Sequence, residues 1–504
     1  MSLDFIDNLA LGFQAAATWQ NLGFAFFGCL LGTVIGVLPG IGTIPAIALL
    51  LPATYGLEPL SSLIMLAGIY YGAQYGGSTT SILVNMPGES SSVVTCIDGH
   101  QMARNGRAGS ALAIAALGSF FAGCVGTLFI AAFGPVLGAF SLQFNAPEFF
   151  ALLVLGLTMG IILARGSAIK ALAMVAFGLL LGVVGTDVNT GVMRYTFDSA
   201  SLWDGLGFLP LVIGLFGVTE VIRNLEEPDQ ARMKMKTGIR DLYPSRQEMR
   251  EAWPAAVRGT AIGAILGVLP GGGAVLSSFA SYTVEKKIAR FPERFGHGAV
   301  QGLAGPESAN NAGAQTSFIP LLTLGLPSNA LMALIMGAMM IHGIAPGTSV
   351  MSERPELFWG MIASMWIGNA MLVVLNLPLI GLWVKLLSVP YRLLFPVILM
   401  FCAIGVYGTD DNLVQMSLTC LFALFGYVML KVGCEPAPLV LGFVLGPPME
   451  SNLRRSLTIS DGSAAIFFER PIAAALLVAA IVVVGLIVFP QFRQKRQEAF
   501  AEEG

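Results

Sequence analysis

The chain has 504 residues with 27 Lys or Arg and 30 Asp or Glu, so 11% of it is charged, where a soluble domain carries about 25%. Apolar types make up 55% and the net charge is −3, which excludes both a water-covered globule and a disordered chain. What remains is an all-α polytopic membrane protein, and one that holds 60 Gly and 27 Pro, the two poorest helix formers. In chain order, 22–53 and 60–86 are apolar but interrupted. Continuous apolar stretches then run over 109–134, 146–164, 167–185 and 205–222, near the roughly 20 residues a span needs. A polar segment, 223–258, holds eight of the 27 basic residues. Two more interrupted stretches follow, 259–284 and 312–344, and then 357–380, 394–407, 413–431 and 470–489. This amounts to about 12 transmembrane or re-entrant elements at bilayer-spanning length. The expected organisation is a first transmembrane repeat at 1–222, a cytoplasmic linker at 223–258, a second repeat at 259–490 and a cytoplasmic tail at 491–504.

The repeat is legible in the residues. GVLPGIG (36–42) returns as GVLPGGG (267–273), an offset of 231. GAQYGGSTTSILVNMPGES (72–90) is echoed by GAQTSFIPLLTLGLPSN (313–329), with the prolines offset by 240. Two motifs in the same order at near-constant offset point to internal duplication, a signature of secondary transporters. Basic residues set the expected orientation. Stretch 259–284 has basic segments on both sides, with Lys286, Lys287, Arg290 and Arg294 downstream. Stretch 22–53 has none, and the first basic residue of the chain is Arg104. Each interrupted stretch is therefore either a Gly/Pro-kinked span or a re-entrant helical hairpin. In the second case the two hairpins enter from opposite faces and the repeats are inverted. The breaks fall at Pro39-Gly40-Ile41-Gly42 and Pro270-Gly271-Gly272-Gly273, with further helix breaks at Pro87 and Pro327.

Broken helices at membrane depth free carbonyls for a cation and N–H groups for an anion. Candidate substrate- or ion-binding residues in the first half are Gly40, Gly42, Thr43, Gly76, Gly77, Ser78, Thr79, Thr80, Ser81 and Asn85. Those in the second half are Gly271, Gly272, Gly273, Glu307, Ser308, Asn310, Asn311, Gln315, Thr316 and Ser317. Their hydroxyls and amides can meet a carboxylate, and the glycines allow close backbone approach. The plainer alternative is helix packing through small residues, with Glu307 in an aqueous loop. Asp187, Asn189, Asp410, Asp411 and Asn412 stand near expected helix ends and read as interfacial caps or as proton or cation groups.

Several chemistries are excluded. Cys29, Cys96, Cys124, Cys402, Cys420 and Cys434 form no C-x-x-C pair, and the three His form no H-E-x-x-H. There is no phosphate loop for ATP and no intramembrane-hydrolase signature, so no enzyme, metal or other cofactor is expected. A pI of about 5.7 gives no footprint for nucleic acid. The N-terminal MSLDFIDNLA lacks Lys and Arg, so the mature chain is expected to begin near Met1.

GVLPGIGTIPAIALLLP (36–52), YYGAQYGGSTTSILVNMPGES (70–90), DGHQMARNGRAG (98–109), GVLPGGGAV (267–275) and GPESANNAGAQTSFIPLLTLGLPSN (305–329) resemble the large membrane subunit of the tripartite tricarboxylate transporters, the TctA family. The resemblance implies a multi-pass protein of the bacterial inner membrane. It implies a periplasmic solute-binding protein that delivers an organic acid, and a small membrane subunit of about four helices. It implies a proton or sodium gradient as the driving force, and kinship with the ion-transporter superfamily and its elevator motions. The superfamily's Ser-Asn-Thr hairpin motif is absent; Ser78-Thr79-Thr80 and Ser308-Ala309-Asn310 come nearest. The expected function is a permease for tricarboxylates or related acids, and the alternative is a passive pore for small anions.

Overall fold

A computed structural model describes residues 2–38, 42–141, 143–163, 167–187, 190–226, 242–269, 273–387, 391–410 and 413–488. Among these the chain is helical almost throughout. The first half contains α1 (Ser2–Ala16), α2 (Trp19–Val37), α3 (Thr43–Leu50), α4 (Pro59–Val84), α5 (Val93–Met102), α6 (Ala108–Ser141), α7 (Ala146–Leu163) and α8 (Ala168–Gly182). A short hairpin of β1 (Gly185–Thr186) and β2 (Met193–Arg194) follows, then α9 (Phe208–Val212) and α10 (Thr219–Glu226), joined by a π-helical turn. The second half contains α11 (Arg246–Val268), α12 (Gly273–Ile288), α13 (Val300–Thr316), α14 (Phe318–Leu324), α15 (Ala330–Ile341), α16 (Thr348–Glu353), α17 (Pro355–Asn376) and α18 (Ile380–Leu386). It ends with α19 (Tyr391–Asp410), α20 (Leu413–Lys431), α21 (Pro436–Ile459), α22 (Ile466–Glu469) and α23 (Pro471–Val488). Five described helical runs are long and apolar enough to cross a membrane: 19–37, 90–140, 208–226, 355–376 and 413–431. Shorter apolar helices at 146–161, 168–182, 330–341 and 471–485 add to them. The chain is a multi-pass membrane protein.

Glycine spacing explains how the central helices pack. Gly28, Gly32 and Gly36 of α2 lie one turn apart, and a Cβ on any of them would collide with the carbonyl of Met65, Ile69 or Ala73 on α4. In return, Gly68, Gly72 and Gly76 of α4 face the backbone of α2. Backbones brought this close gain dispersion contacts that larger side chains would forbid. The partners rise together along both helices, so α2 and α4 run parallel. Asn21 and Ser61, near the two starts, share a 2.6 Å hydrogen bond. The chain must therefore travel back between the end of α2 and the start of α4, and α3 lies on that return.

The second half repeats the device. Gly259, Gly263 and Gly267 of α11 face the carbonyls of Gly305, Ala309 and Gly313 on α13, again in parallel order. From Gly28 to Gly259 the offset is 231, and from Met65 to Gly305 it is 240, the same two offsets that the motifs show. Here the return arm is α12. Arg258 on α11 grips Glu285 on α12 with two bonds, of 2.8 and 2.7 Å. These residues stand at nearly equal distance on either side of the Pro-Gly break, so α11 and α12 lie side by side.

The halves meet along α4 and α13. Gln74 pairs with Asn310, and Ser78 with Glu307. As one number rises the other falls, so these two helices run in opposite directions. Asp98 adds a second tie between the halves. Its Oδ1 accepts from the backbone N–H groups of Gly296, Gly298 and Ala299, and its Oδ2 from Tyr282. The carboxylate of α5 thereby caps the N-terminus of α13.

Two sequence expectations need correction. Stretch 60–86 was expected to be interrupted, but α4 is continuous from Pro59 to Val84, through Gly76 and Gly77. The segment Gly305–Thr316 is also continuous helix, and Pro306 sits inside α13. The breaks come later. Asn85 ends α4 in the left-handed conformation (φ 56°), and Gly325 ends α14 likewise (φ 67°). Pro87 and Pro327 lie in the short links that follow. The boundary drawn at 258/259 falls inside α11.

Candidate functional site

Two carboxylates mark the place where the halves touch. Glu307 sits in the middle of α13, fully buried, and not in an aqueous loop. Its Oε2 lies 2.7 Å from the Ser78 hydroxyl of α4, and its Oε1 accepts from Thr95 of α5. One turn on, Asn311 donates to Ser119 of α6 at 2.6 Å and to the Glu307 carbonyl at 3.1 Å. Four helices thus close around one acid.

Glu89, half-buried, stands in the link after α4. Its Oε2 accepts from Thr43 at the start of α3 at 3.1 Å. Its Oε1 accepts from Ser91 and, at 3.3 Å, from Asn310. Asn310 in turn accepts from Gln74 at 3.3 Å. Asn310 and Glu307 are neighbours on one helix, so the two acids share a single polar layer. Among the described residues neither carboxylate has an ion pair; all their partners are hydroxyls and amides. An ionised carboxylate out of water without a counter-charge is costly. Such a layer suits a cation that supplies the missing charge.

Other groups around the layer keep unused hydrogen-bonding capacity. Gln74 Oε1, Gln315 Oε1, Ser308 Oγ and the Tyr75 hydroxyl are buried without a partner among the described residues. Tyr75, Ser78, Thr79, Ser119 and Asn376 line a narrow crevice that reaches toward Ile380. Ser78 therefore links that crevice to Glu307.

The remaining predicted residues take different places. Gly76 packs against α2, and Gly77 lets the link approach, since a Cβ on Gly88 would collide with Gly77 Cα and the Gly36 carbonyl. These close approaches are protein to protein. Thr79 and Ser81 bond the carbonyls of Tyr75 and Gly77. Thr80 bonds those of Gly36, Val37 and Gly76, tying α4 to the end of α2. Thr316 and Ser317 reach the carbonyls of Gly263 and Gly267 in the same way. Asn85 is an exposed C-cap. Gly42 (φ 70°) and Gly273 (φ 49°) open α3 and α12 in backbone conformations that favour glycine. Gly273 faces Asn329, which caps α15 through Met332 N at 2.9 Å. Pro39, Gly40, Pro270, Gly271 and Gly272 lie outside the described residues, as do Asn189, Asp411 and Asn412. Asp187 is buried and pairs with Arg454 at 3.1 Å, a bridge between the β-hairpin and α21.

Sequence reasoning passed over Ser91, Thr95, Gln74, Ser119 and Asp98 as site residues, and read Glu89 as part of a helix end, a hinge or C-cap as much as a ligand. One signal could have found Glu89. MPGE (86–89) and LPSN (326–329) align at the 240 offset, which places Glu89 opposite Asn329.

A family model described as the tripartite tricarboxylate transporter TctA family matches residues 22–441. An "Uncharacterized 52.8 kDa protein in TAR-I ttuC' 3'region" of Agrobacterium vitis is 56% identical over 501 residues, covering 99% of this chain and all of that protein. An "Uncharacterized protein in TAR-II ttuC' 3'region" of the same organism is 58% identical over 241 residues, covering 48% of this chain and all of its own length. No solved structure matches. With a family model spanning most of its length, the chain belongs to the tripartite tricarboxylate transporter TctA family.

Proposed function

We propose that this chain is the permease subunit of a binding-protein-dependent secondary transporter. It takes up tricarboxylates or related organic acids, driven by a proton or sodium gradient. The observation that carries this reading is the layer of Glu307 and Glu89, buried or half-buried where antiparallel α4 and α13 meet, partnered by hydroxyls and amides and, among the described residues, by no Lys or Arg. A polyanionic substrate is repelled from such a layer until protons or metal cations neutralise it. Cation binding then becomes a condition of substrate binding, and that condition is coupling.

The packing order supports paired hairpins. In each half a glycine-lined helix runs parallel to its partner, and the chain returns between them. Because α4 and α13 are antiparallel, the equivalent units point in opposite directions, as an inverted repeat requires. The complex is completed by a small membrane subunit of about four helices and a periplasmic solute-binding protein in the bacterial inner membrane. The test is uptake of citrate, used as a probe, by the reconstituted three-part complex under imposed sodium or proton gradients. Gradient-dependent, saturable uptake that Glu307→Gln and Glu89→Gln remove supports the reading. Uptake equal to wild type in both variants rejects the site, and uptake independent of any gradient rejects the coupling.

A further inference from the structure

The N-terminal turns of α11 carry a feature remote from the layer between the halves. Arg246, Arg250, Pro254 and Arg258 recur every fourth residue and so share one helix face. With Glu251 and with Gln301 of α13 they line an open groove of about 720 Å³. Arg258 is already held by Glu285. Glu251 accepts from Gln247 at 3.0 Å and from Gln301 at 3.4 Å. Arg246 and Arg250 are exposed and form no ion pair with the described residues. Three guanidiniums against Glu251 and Glu285 leave one positive charge over, equal and opposite to the charge of a phosphodiester.

The neighbouring face of the same helix says where that phosphodiester is attached. Trp253, Val257, Ile265 and Leu269 form an exposed apolar stripe, from 42 to 63% accessible. On a multi-pass membrane protein such a stripe meets acyl chains. Trp253 stands at its polar end, packed on Phe121 of α6 with ring centroids 4.6 Å apart. Tryptophan at that position marks the headgroup level of a bilayer. The groove therefore opens beside the headgroups, and its arginines offer planar donors that match phosphate oxygens.

We propose that this groove is a binding site for the headgroup of an anionic phospholipid, with Arg246 and Arg250 holding the phosphodiester and the acyl chains lying along Trp253, Val257 and Ile265. The site is independent of the transport reading.

The test uses the purified full-length chain, exchanged into nanodiscs of phosphatidylglycerol and phosphatidylcholine in equal amounts, with retained lipid counted by native mass spectrometry. Wild type is expected to retain phosphatidylglycerol in severalfold excess. Arg246→Gln/Arg250→Gln is expected to lose that excess while keeping its melting temperature in pure phosphatidylcholine. Glu251→Gln, which removes the opposing charge, is expected to raise retention. No headgroup preference in wild type overturns the proposal, as does full retention by the double variant. Competition by inorganic phosphate as effective as that by phosphatidylglycerol shows a free-anion site and overturns the lipid assignment. Loss of a co-purifying small membrane subunit from the double variant, with lipid retention unchanged, shows a protein interface instead.

Discussion

The two halves share a scaffold and differ in charge. In both, three glycines one turn apart on one helix meet backbone carbonyls on a parallel partner, at the same offsets of 231 and 240. At the link that follows, the first half places Glu89 against Thr43 and Asn310. The second half places Asn329 against Gly273, with Ala274 where Thr43 would be. Close backbone packing is thus duplicated, while the acid is not. Geometry tolerates little change because it rests on absent Cβ atoms. Charge can be placed on one link alone, which leaves the frame with an acidic link after α4 and a neutral one after α14.

The strongest break of this comparison is steric. Gly32→Leu and Gly263→Leu each drive a side chain into a carbonyl, of Ile69 and of Ala309. Overpacking costs about 1–3 kcal/mol even where neighbours can shift, and backbone cannot yield easily. Both variants are expected to lose folded protein, read as the monodisperse peak in size-exclusion chromatography. Gly23→Leu, with open space around it, is expected to behave as wild type. If only one of the two central variants fails, the scaffolds are not equivalent.

The next largest effects concern charge. Glu307→Ala removes the acceptor for Ser78 and Thr95 and is expected to lower uptake at least about tenfold, a loss of about 1.4 kcal/mol or more, without loss of folded protein. Glu89→Asn makes the first link resemble the second. It is expected to flatten the dependence of uptake on cation concentration while leaving the chain folded. The converse, Asn329→Glu, puts an acid in the neutral link of the second half and is expected to raise the substrate concentration for half-maximal uptake. An unchanged cation response in Glu89→Asn would mean that the asymmetry has no part in coupling.

The smallest effect lies away from both. Partial burial works against the charge on Glu248 at the mouth of α11. Hydrogen bonds from the Ser245 backbone and hydroxyl and from Arg107 outweigh it and hold the carboxyl down at about 2. A lowered folded value stabilises the protein above the ordinary carboxylate range, and that stability disappears as pH falls toward 2. Wild type is expected to lose melting temperature in that window more steeply than Glu248→Gln. At neutral pH the difference is expected to be under about 1 kcal/mol, since the pair is partly exposed.

Much of the fold was legible in the residues. Low charge and long apolar stretches indicate membrane helices, and the paired motifs expose the duplication. The candidate site was legible in part. Glu307, Asn310, Asn311, Ser78 and Thr43 were singled out and do converge with their partners. Gly76, Gly77, Thr80, Thr316 and Ser317 belong to the packing between helices. Sequence cannot separate these groups, because a glycine that breaks a helix and one that lets two helices touch have the same missing Cβ. A serine facing a carboxylate and one bonded to its own helix are likewise the same residue.

The amino-acid sequence by itself determined the membrane class, the repeat and its two offsets, and the polar character of the segments where the halves meet. These follow from composition and order alone. Only the tertiary structure decided that α4 and α13 pass through their glycines and proline unbroken, that they run antiparallel, and that Glu89 joins Glu307 in one layer. The reason is physical. Helix continuity at Gly and Pro depends on what packs against the backbone, and two acids far apart in the chain become one site only when packing removes the water between them.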